Sequence, residues 1–157
     1  MGRLVSRRRL LAFVVVAFVA IQWIGPARTN PPIDPSVALE ASAVPLPVGA
    51  ILHRACYDCH SSETRWPWYS QVAPASWLVI GDVVDARKQM SFSRWRRYNA
   101  LDRADLLDKV CEQVTKHHMP LWQYTLAHRD AKLSEDDISA ICSWTKQEAA
   151  RLTQEEK

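Results

Sequence analysis

Leu10 through Ile24 form a run of 15 residues in which only Gln22 is strongly polar, and Arg7, Arg8 and Arg9 stand directly before it. An apolar surface on every side with cations at one end predicts an export signal or a membrane anchor rather than a core helix. As a helix the run reaches about 22 Å, and Gly25 and Pro26 extend it to about 17 residues, still short of the ~30 Å hydrocarbon core. The small-residue cleavage pattern at Gly25 and Ala27 is poor, and Trp23 stands where an interfacial aromatic belongs. The expectation is an uncleaved signal anchor over residues 1–27, with a cleaved signal peptide as the alternative. Between Gly25 and Pro47 fall six of the nine prolines, with no sustained apolar period. That pattern predicts a proline-rich linker over 28–47, able to hold the following domain up to ~60 Å from a bilayer.

From Val48 onward the apolar positions recur at helical spacing. Ile51, Leu52, Ala55 and Cys59 share one face, and Pro74 suits the first turn of a helix whose stripe is Trp77, Leu78, Gly81 and Val84. Asp102 is a candidate cap for a helix carrying Leu106, Leu107, Val110, Cys111 and Val114. Ser134 and Asp137 form a capping-box pattern ahead of Ile138, Ile141, Cys142 and Leu152. No stretch alternates with period two. Residues 48–157 are therefore expected to form one all-α domain, in keeping with a chain of 157 residues.

Charge narrows the function classes. The formal net charge is +3, but residues 1–30 hold five arginines and no acid, which leaves the remainder at −2. A nucleic-acid partner needs its basic excess on the folded part, where it neutralises phosphates. No nucleic-acid role is expected, and with four glycines in the whole chain no phosphate-cradling loop is visible.

Residues 56–60 read Cys-Tyr-Asp-Cys-His, the C-x-x-C-H spacing of c-type haem attachment. Two thiols three positions apart lie about one helical turn apart, so each can form a thioether to a different vinyl group of one porphyrin. His60 would then bind the iron through one imidazole nitrogen, the other donating to an acceptor that fixes the ring, with a carbonyl of the 66–74 loop as the candidate. A thioredoxin-like redox pair wants a β-α-β context, which is absent. A structural zinc site would pair adjacent Cys59 and His60 unusually, with no second ligand pair at finger spacing. The preceding export pattern favours haem, which is attached to c-type cytochromes outside the cytoplasm.

The run Cys56-Tyr57-Asp58-Cys59-His60-Ser61-Ser62-Glu63-Thr64-Arg65-Trp66-Pro67-Trp68-Tyr69-Ser70 continues into Ala73-Pro74-Ala75-Ser76-Trp77, Asp82-Val83 and Phe92-Ser93 with Trp95. A second block reads Met119-Pro120-Leu121-Trp122-Gln123-Tyr124, with His128 and Ala131-Lys132-Leu133-Ser134 after it. Over about residues 48–145 the sequence thus resembles the bacterial haem-binding domain family of exported cytochrome-like proteins. What the resemblance implies is a covalently bound haem c, one per chain, without a defined partner or reaction; the expected fold is a small cytochrome c-like helical domain. Cys111 and Cys142 lie outside the recognised pattern.

A six-coordinate cytochrome needs a ligand from the opposite side of the haem, usually a methionine well downstream. Met119 fits, following a helix end with Pro120 stiffening its loop; His117 and His118 are the competitors, and Met90 reads as core filler. Methionine would raise the reduction potential relative to a second histidine. Trp66, Trp68, Tyr69, Trp122 and Tyr124 flank the two ligand segments and are the candidate pocket wall, while Trp77, Trp95 and Trp144 read as core. Arg65, Trp66 or Trp68 are candidate donors to a propionate. Cys111 and Cys142 either form a disulfide closing about 30 residues, worth roughly 3 to 4 kcal/mol, or remain two buried thiols.

With both axial positions filled and no catalytic constellation beside them, the chain reads as a membrane-tethered monohaem electron carrier, not an enzyme. Its domain would lie in the periplasm, anchored to the inner membrane, exchanging electrons with redox proteins there. The alternative is a haem-based sensor in which Met119 leaves to admit a diatomic ligand. A peroxidase-like site would require His117 or His118 as a distal base.

Overall fold

A computed structural model describes residues 2–155 and, among them, seven α-helices and no strand. The all-α expectation holds. Helix α1 (Gly2–Ile21) is apolar only from Leu10 onward, about 18 Å of helix, and Gln22 to Ile24 close into turns on Val19, Ala20 and Ile21. Among the described residues no helix is long and apolar enough to cross a membrane, which corrects the transmembrane form of the N-terminal expectation. The apolar run loses helix at its C-terminal end, where Gly25 (φ 159°) brings the backbone against Trp77. A Cβ there would stand 2.6 Å from the indole Nε1. Trp77, expected in the core, instead donates to the Ile24 carbonyl at 2.6 Å.

The open linker expected over 28–47 is instead a strap laid along the domain. Arg28 donates to the Ser70 carbonyl at 2.9 Å and Asn30 to that of Thr64 at 2.9 Å, while Val37 accepts from the Arg96 N–H at 2.8 Å. Ala38 and Leu39 are buried, and Leu39 packs with Val48 and Leu52. Full burial of one leucine stabilises by about 1.5 to 3 kcal/mol, enough to fix a segment whose prolines have already reduced its freedom in the unfolded chain.

Helix α2 (Leu46–Ala55) starts with proline inside its first turn and buries Val48, Ile51, Leu52 and Ala55, the face read from the sequence. Cys56 breaks the helix (φ −126°, ψ −34°), and α3 (Tyr57–His60) follows as a single turn. Helix α4 (Ala75–Gln89) buries Ser76, Ile80 and Val83. Its apolar stripe thus lies one position away from the predicted one, leaving Leu78 and Val84 exposed. Helix α5 (Ala100–Thr115) is capped by Asn99, not Asp102: the Asn99 side chain accepts from the Asp102 N–H at 2.7 Å and returns a bond to its carboxylate at 2.8 Å. Helix α6 (Trp122–Ala127) is short, and α7 (Glu135–Glu155) opens with the predicted Ser134–Asp137 box.

The core forms where α2, α5 and α7 meet the 3₁₀ segment Phe92–Arg97, with Trp95 and Trp144 inside it as expected. A second cluster of Ile51, Val114, Ile138 and Ile141 ties α2, α5 and α7 together on the far side. Cys111 and Cys142 are joined by a disulfide between α5 and α7, with Cα atoms 4.8 Å apart. Arg87 on α4 binds the remaining pieces: its guanidinium donates to the carbonyls of Ser61 (2.6 Å) and Thr29 (2.7 Å), and to Asn30 and Thr64 side chains. One cation thereby connects the strap, α4 and the segment that follows α3.

Candidate functional site

The break at Cys56 determines how the motif is presented. The N–H groups of Cys59 and His60 bond the Cys56 carbonyl at 3.2 and 2.9 Å, so residues 56–60 wind as one turn and send both thiols and the imidazole toward the same side. They border a cavity of about 600 Å³, inside the ~300 to 1,000 Å³ range of cofactor and ligand sites. Its lining also takes in the loop Met119-Pro120-Leu121 and an apolar group of Ala55, Phe92, Leu106, Val110 and Val114. Two thiols, one imidazole and one thioether therefore face a single, largely apolar space.

Each ligand candidate has a defined surrounding. His60 Nδ1 lies 3.1 Å from the carbonyl of Met90, the C-cap residue of α4, and not from a carbonyl of the 66–74 loop. That bond fixes the tautomer, with the proton on Nδ1 and Nε2 left as an acceptor. Burial holds the imidazole below its ordinary pKa, against the opposing pull of the Met90 and Ala86 carbonyls, so the neutral form that binds metals is favoured. Cys56 and Cys59 are free thiols. Burial, helped by the neighbouring thiol, pushes Cys56 up to about 12, and burial with Asp58 and Asp82 pushes Cys59 up to about 11. A disulfide-exchange site needs a lowered thiol pKa; burial pushes this pair the other way, and among the described residues no strand supplies the β-α-β context of a thioredoxin-like site.

The two distal competitors separate cleanly. Helix α5 ends in a Schellman arrangement, in which His117 (φ 53°) bonds the Val114 carbonyl and His118 that of Gln113. Both histidines are exposed and neither lines the cavity, whereas Met119, the next residue, does.

Of the aromatic residues expected at the wall, Tyr124 lines this cavity. Tyr69 lines a neighbouring cavity of about 250 Å³ that shares Cys59, Asp82, Leu121 and Tyr124 with the first. Trp66 lines neither, and Trp68 and Trp122 are exposed. The wall that the sequence reading missed is supplied by α5: Leu106 and Val110 stand one turn apart and half-buried, a signal present in the periodicity but read there as core.

Also missed was Asp58, inside the motif itself. Its buried carboxylate accepts from the Arg65 N–H at 3.0 Å, the Arg65 guanidinium at 3.4 Å and the Tyr124 hydroxyl at 2.7 Å. Burial acts to raise its pKa, but these donors outweigh it and hold the carboxyl below its ordinary value of 3.8. Arg65, a candidate propionate donor, is thus engaged with Asp58. A lowered folded-state pKa contributes stability that is present above about pH 4 and lost as pH falls through the folded value. Asp137, lowered despite burial by Arg54 and Ser134, adds in the same direction. Urea titrations at pH 6 and pH 3 are expected to show lower stability at pH 3, and the gap should shrink in Asp58→Asn.

The model of the haem-binding domain matches residues 16–147. The chain belongs to the haem-binding domain family. No curated protein and no solved structure matches it. The match begins within α1 and takes in the strap as well as the helical core, in agreement with the hydrogen bonds that tie residues 28–30 to the loop after the motif. The residues present suit a haem: a largely apolar cavity of adequate size, an imidazole with its free nitrogen preset, two unpaired thiols one turn apart, and a thioether in the same lining.

Proposed function

We propose that this haem-binding domain carries one haem c, attached through Cys56 and Cys59 with His60 and Met119 as axial ligands, and serves as a one-electron carrier. The observation that carries the reading is the convergence of all four side chains on one cavity, from segments 59 residues apart in sequence between His60 and Met119. When bound, the haem supplies a ferric/ferrous couple. The protein supplies the rest: His60 is aligned by the Met90 carbonyl, and the apolar lining of Phe92, Leu106, Val110 and Val114 keeps water from the redox centre. Methionine in place of a second histidine favours the ferrous state and raises the potential. With both axial places taken by side chains, the domain has no open position for substrate, and the reading is of a carrier rather than an enzyme.

The N-terminal pattern supports a periplasmic site of action at the inner membrane, where haem c is attached. In this reading the apolar stretch of α1 associates the chain with the membrane, and the docked strap holds the domain close to it. Partners would be redox proteins within the membrane or the periplasm.

The distal assignment has a direct test. Met119→Ala is expected to lose the weak sulfur-to-iron charge-transfer band of the ferric spectrum and to bind carbon monoxide when reduced, while the unaltered reduced protein shows no carbon monoxide shift. An unchanged spectrum in the variant would move the role to His117 or His118. Carbon monoxide binding by the unaltered protein would favour the sensor.

A further inference from the structure

The segment after Met119 is held to the rest of the domain chiefly by polar contacts. Helix α6 (Trp122–Ala127) has no buried residue, and its main packing is against the adjacent 3₁₀ turn Arg129–Ala131. Apolar burial, which fixes α2, α5 and α7, therefore does little to fix α6. What reaches across to the rest of the domain is polar. The Tyr124 hydroxyl donates to Asp58 Oδ2 at 2.7 Å, and the Tyr69 hydroxyl bonds His128 Nε2 at 2.9 Å, with the His128 ring stacked on Tyr124 at 4.4 Å between centroids.

Asp58 stands between the two motif cysteines and is only 7% exposed. A short bond to a buried carboxylate belongs to the strong class of hydrogen bonds, since the low local dielectric strengthens it and leaves the acceptor costly to abandon. The acceptor is itself immobilised by the Arg65 N–H and guanidinium. At its other end the Met119 loop is anchored to α5, where the N–H groups of His118 and Met119 both bond the Gln113 carbonyl at 3.0 and 3.3 Å. Met119 thus lies between a fixed anchor on α5 and the polar contacts of Tyr124 and His128, of which the Tyr124 bond is the nearer in sequence and the one made to the attachment turn.

We propose that the Tyr124–Asp58 hydrogen bond is the latch that holds the distal segment closed over the haem cavity, so that Asp58 and Tyr124 are positioning residues for the Met119 ligand. The inference rests on the haem reading given above, and adds to it that the motif residue between the cysteines controls access to the opposite face. Released, α6 and its loop lose their tie to the attachment turn, and the Met119 sulfur leaves the iron more readily.

Imidazole, which competes with a thioether for ferric iron, reports this equilibrium on the matured, full-length holoprotein. Tyr124→Phe retains the ring and its stacking on His128, so the fold is preserved while the latch is lost. Its imidazole affinity is expected to rise about ten-fold or more, the equivalent of one charged-acceptor hydrogen bond of at least ~1.4 kcal/mol. Thr125→Val removes a hydroxyl that bonds only the Trp122 carbonyl within α6 and should leave the affinity unchanged. Asp58→Asn should act like Tyr124→Phe, and combining the two should add little to either alone.

A Tyr124→Phe affinity within two-fold of the unaltered protein overturns the latch, as do fully additive effects of the two substitutions. If the unaltered ferric protein lacks the sulfur-to-iron band, the Met119 assignment itself fails and the latch fails with it. Band present and affinity unchanged rejects the latch alone.

Discussion

Exchanging Cys56 and Cys59 together for alanine is expected to leave a chain that no longer retains pigment in acidified organic solvent, whereas the unaltered matured protein keeps it. The expectation follows from the chemistry of the two ends of the site. An imidazole and a thioether hold iron by coordination alone, and acid protonates His60 and breaks that hold; two thioethers survive it. Because the apolar cavity is formed mainly by α4, α5 and the 119–121 loop, the variant still offers a shaped space and His60 Nε2, so reversible haem binding is expected to persist. Single exchanges at either position should retain covalent pigment through the remaining thiol, with a shifted ferrous spectrum because one vinyl group stays unsaturated. Extractable pigment from the unaltered protein would remove the thioethers, and with them the reading of a c-type site.

Removal of the Cys111–Cys142 bridge has the second large effect. The bridge closes a loop with a sequence separation of 31, which in the chain-entropy account is worth about 3 to 4 kcal/mol. Domains of this size have roughly 5 to 15 kcal/mol in total, so the double serine variant should lose a substantial part of its stability, with a fall in Tm of roughly 10 to 15 °C. The loss reaches the site, because α5 carries Leu106, Val110 and Val114 into the cavity wall and leads directly into the Met119 loop. A double variant that melts within 2 °C of the unaltered protein would show that the α5–α7 packing alone suffices.

How far the sequence disclosed this arrangement depended on the kind of force involved. The α2 face, the core side of α5 and the Ser134–Asp137 box were legible because burial at helical spacing and reciprocal capping are local and periodic. The motif at 56–60 was legible because its chemistry demands fixed residue types at fixed spacing. Features made by distant partners were not. The strap over 28–47 reads as linker since its core contributions are Ala38 and Leu39 with Val44 partly buried beside them, too few to establish a period. The α4 stripe was shifted by one position because Trp77 was given to the core on size, while its indole N–H in fact meets the Ile24 carbonyl. The Met90 carbonyl that orients His60 could not be chosen from sequence, since every backbone carbonyl offers the same chemistry. Asp58 is partly legible, since an acid between two cysteines with an arginine seven residues on is a pairing signal, but its Tyr124 partner lies 66 residues away.

The proposed function depends above all on covalent attachment of one haem through Cys56 and Cys59, and the intact mass of the exported, purified protein tests it most directly. A single species is expected, heavier than the polypeptide by one haem and lighter by the two hydrogens of the Cys111–Cys142 bridge, with the haem increment persisting under denaturing, reducing conditions. A mass equal to the bare polypeptide after maturation in a host that attaches haem c would contradict it.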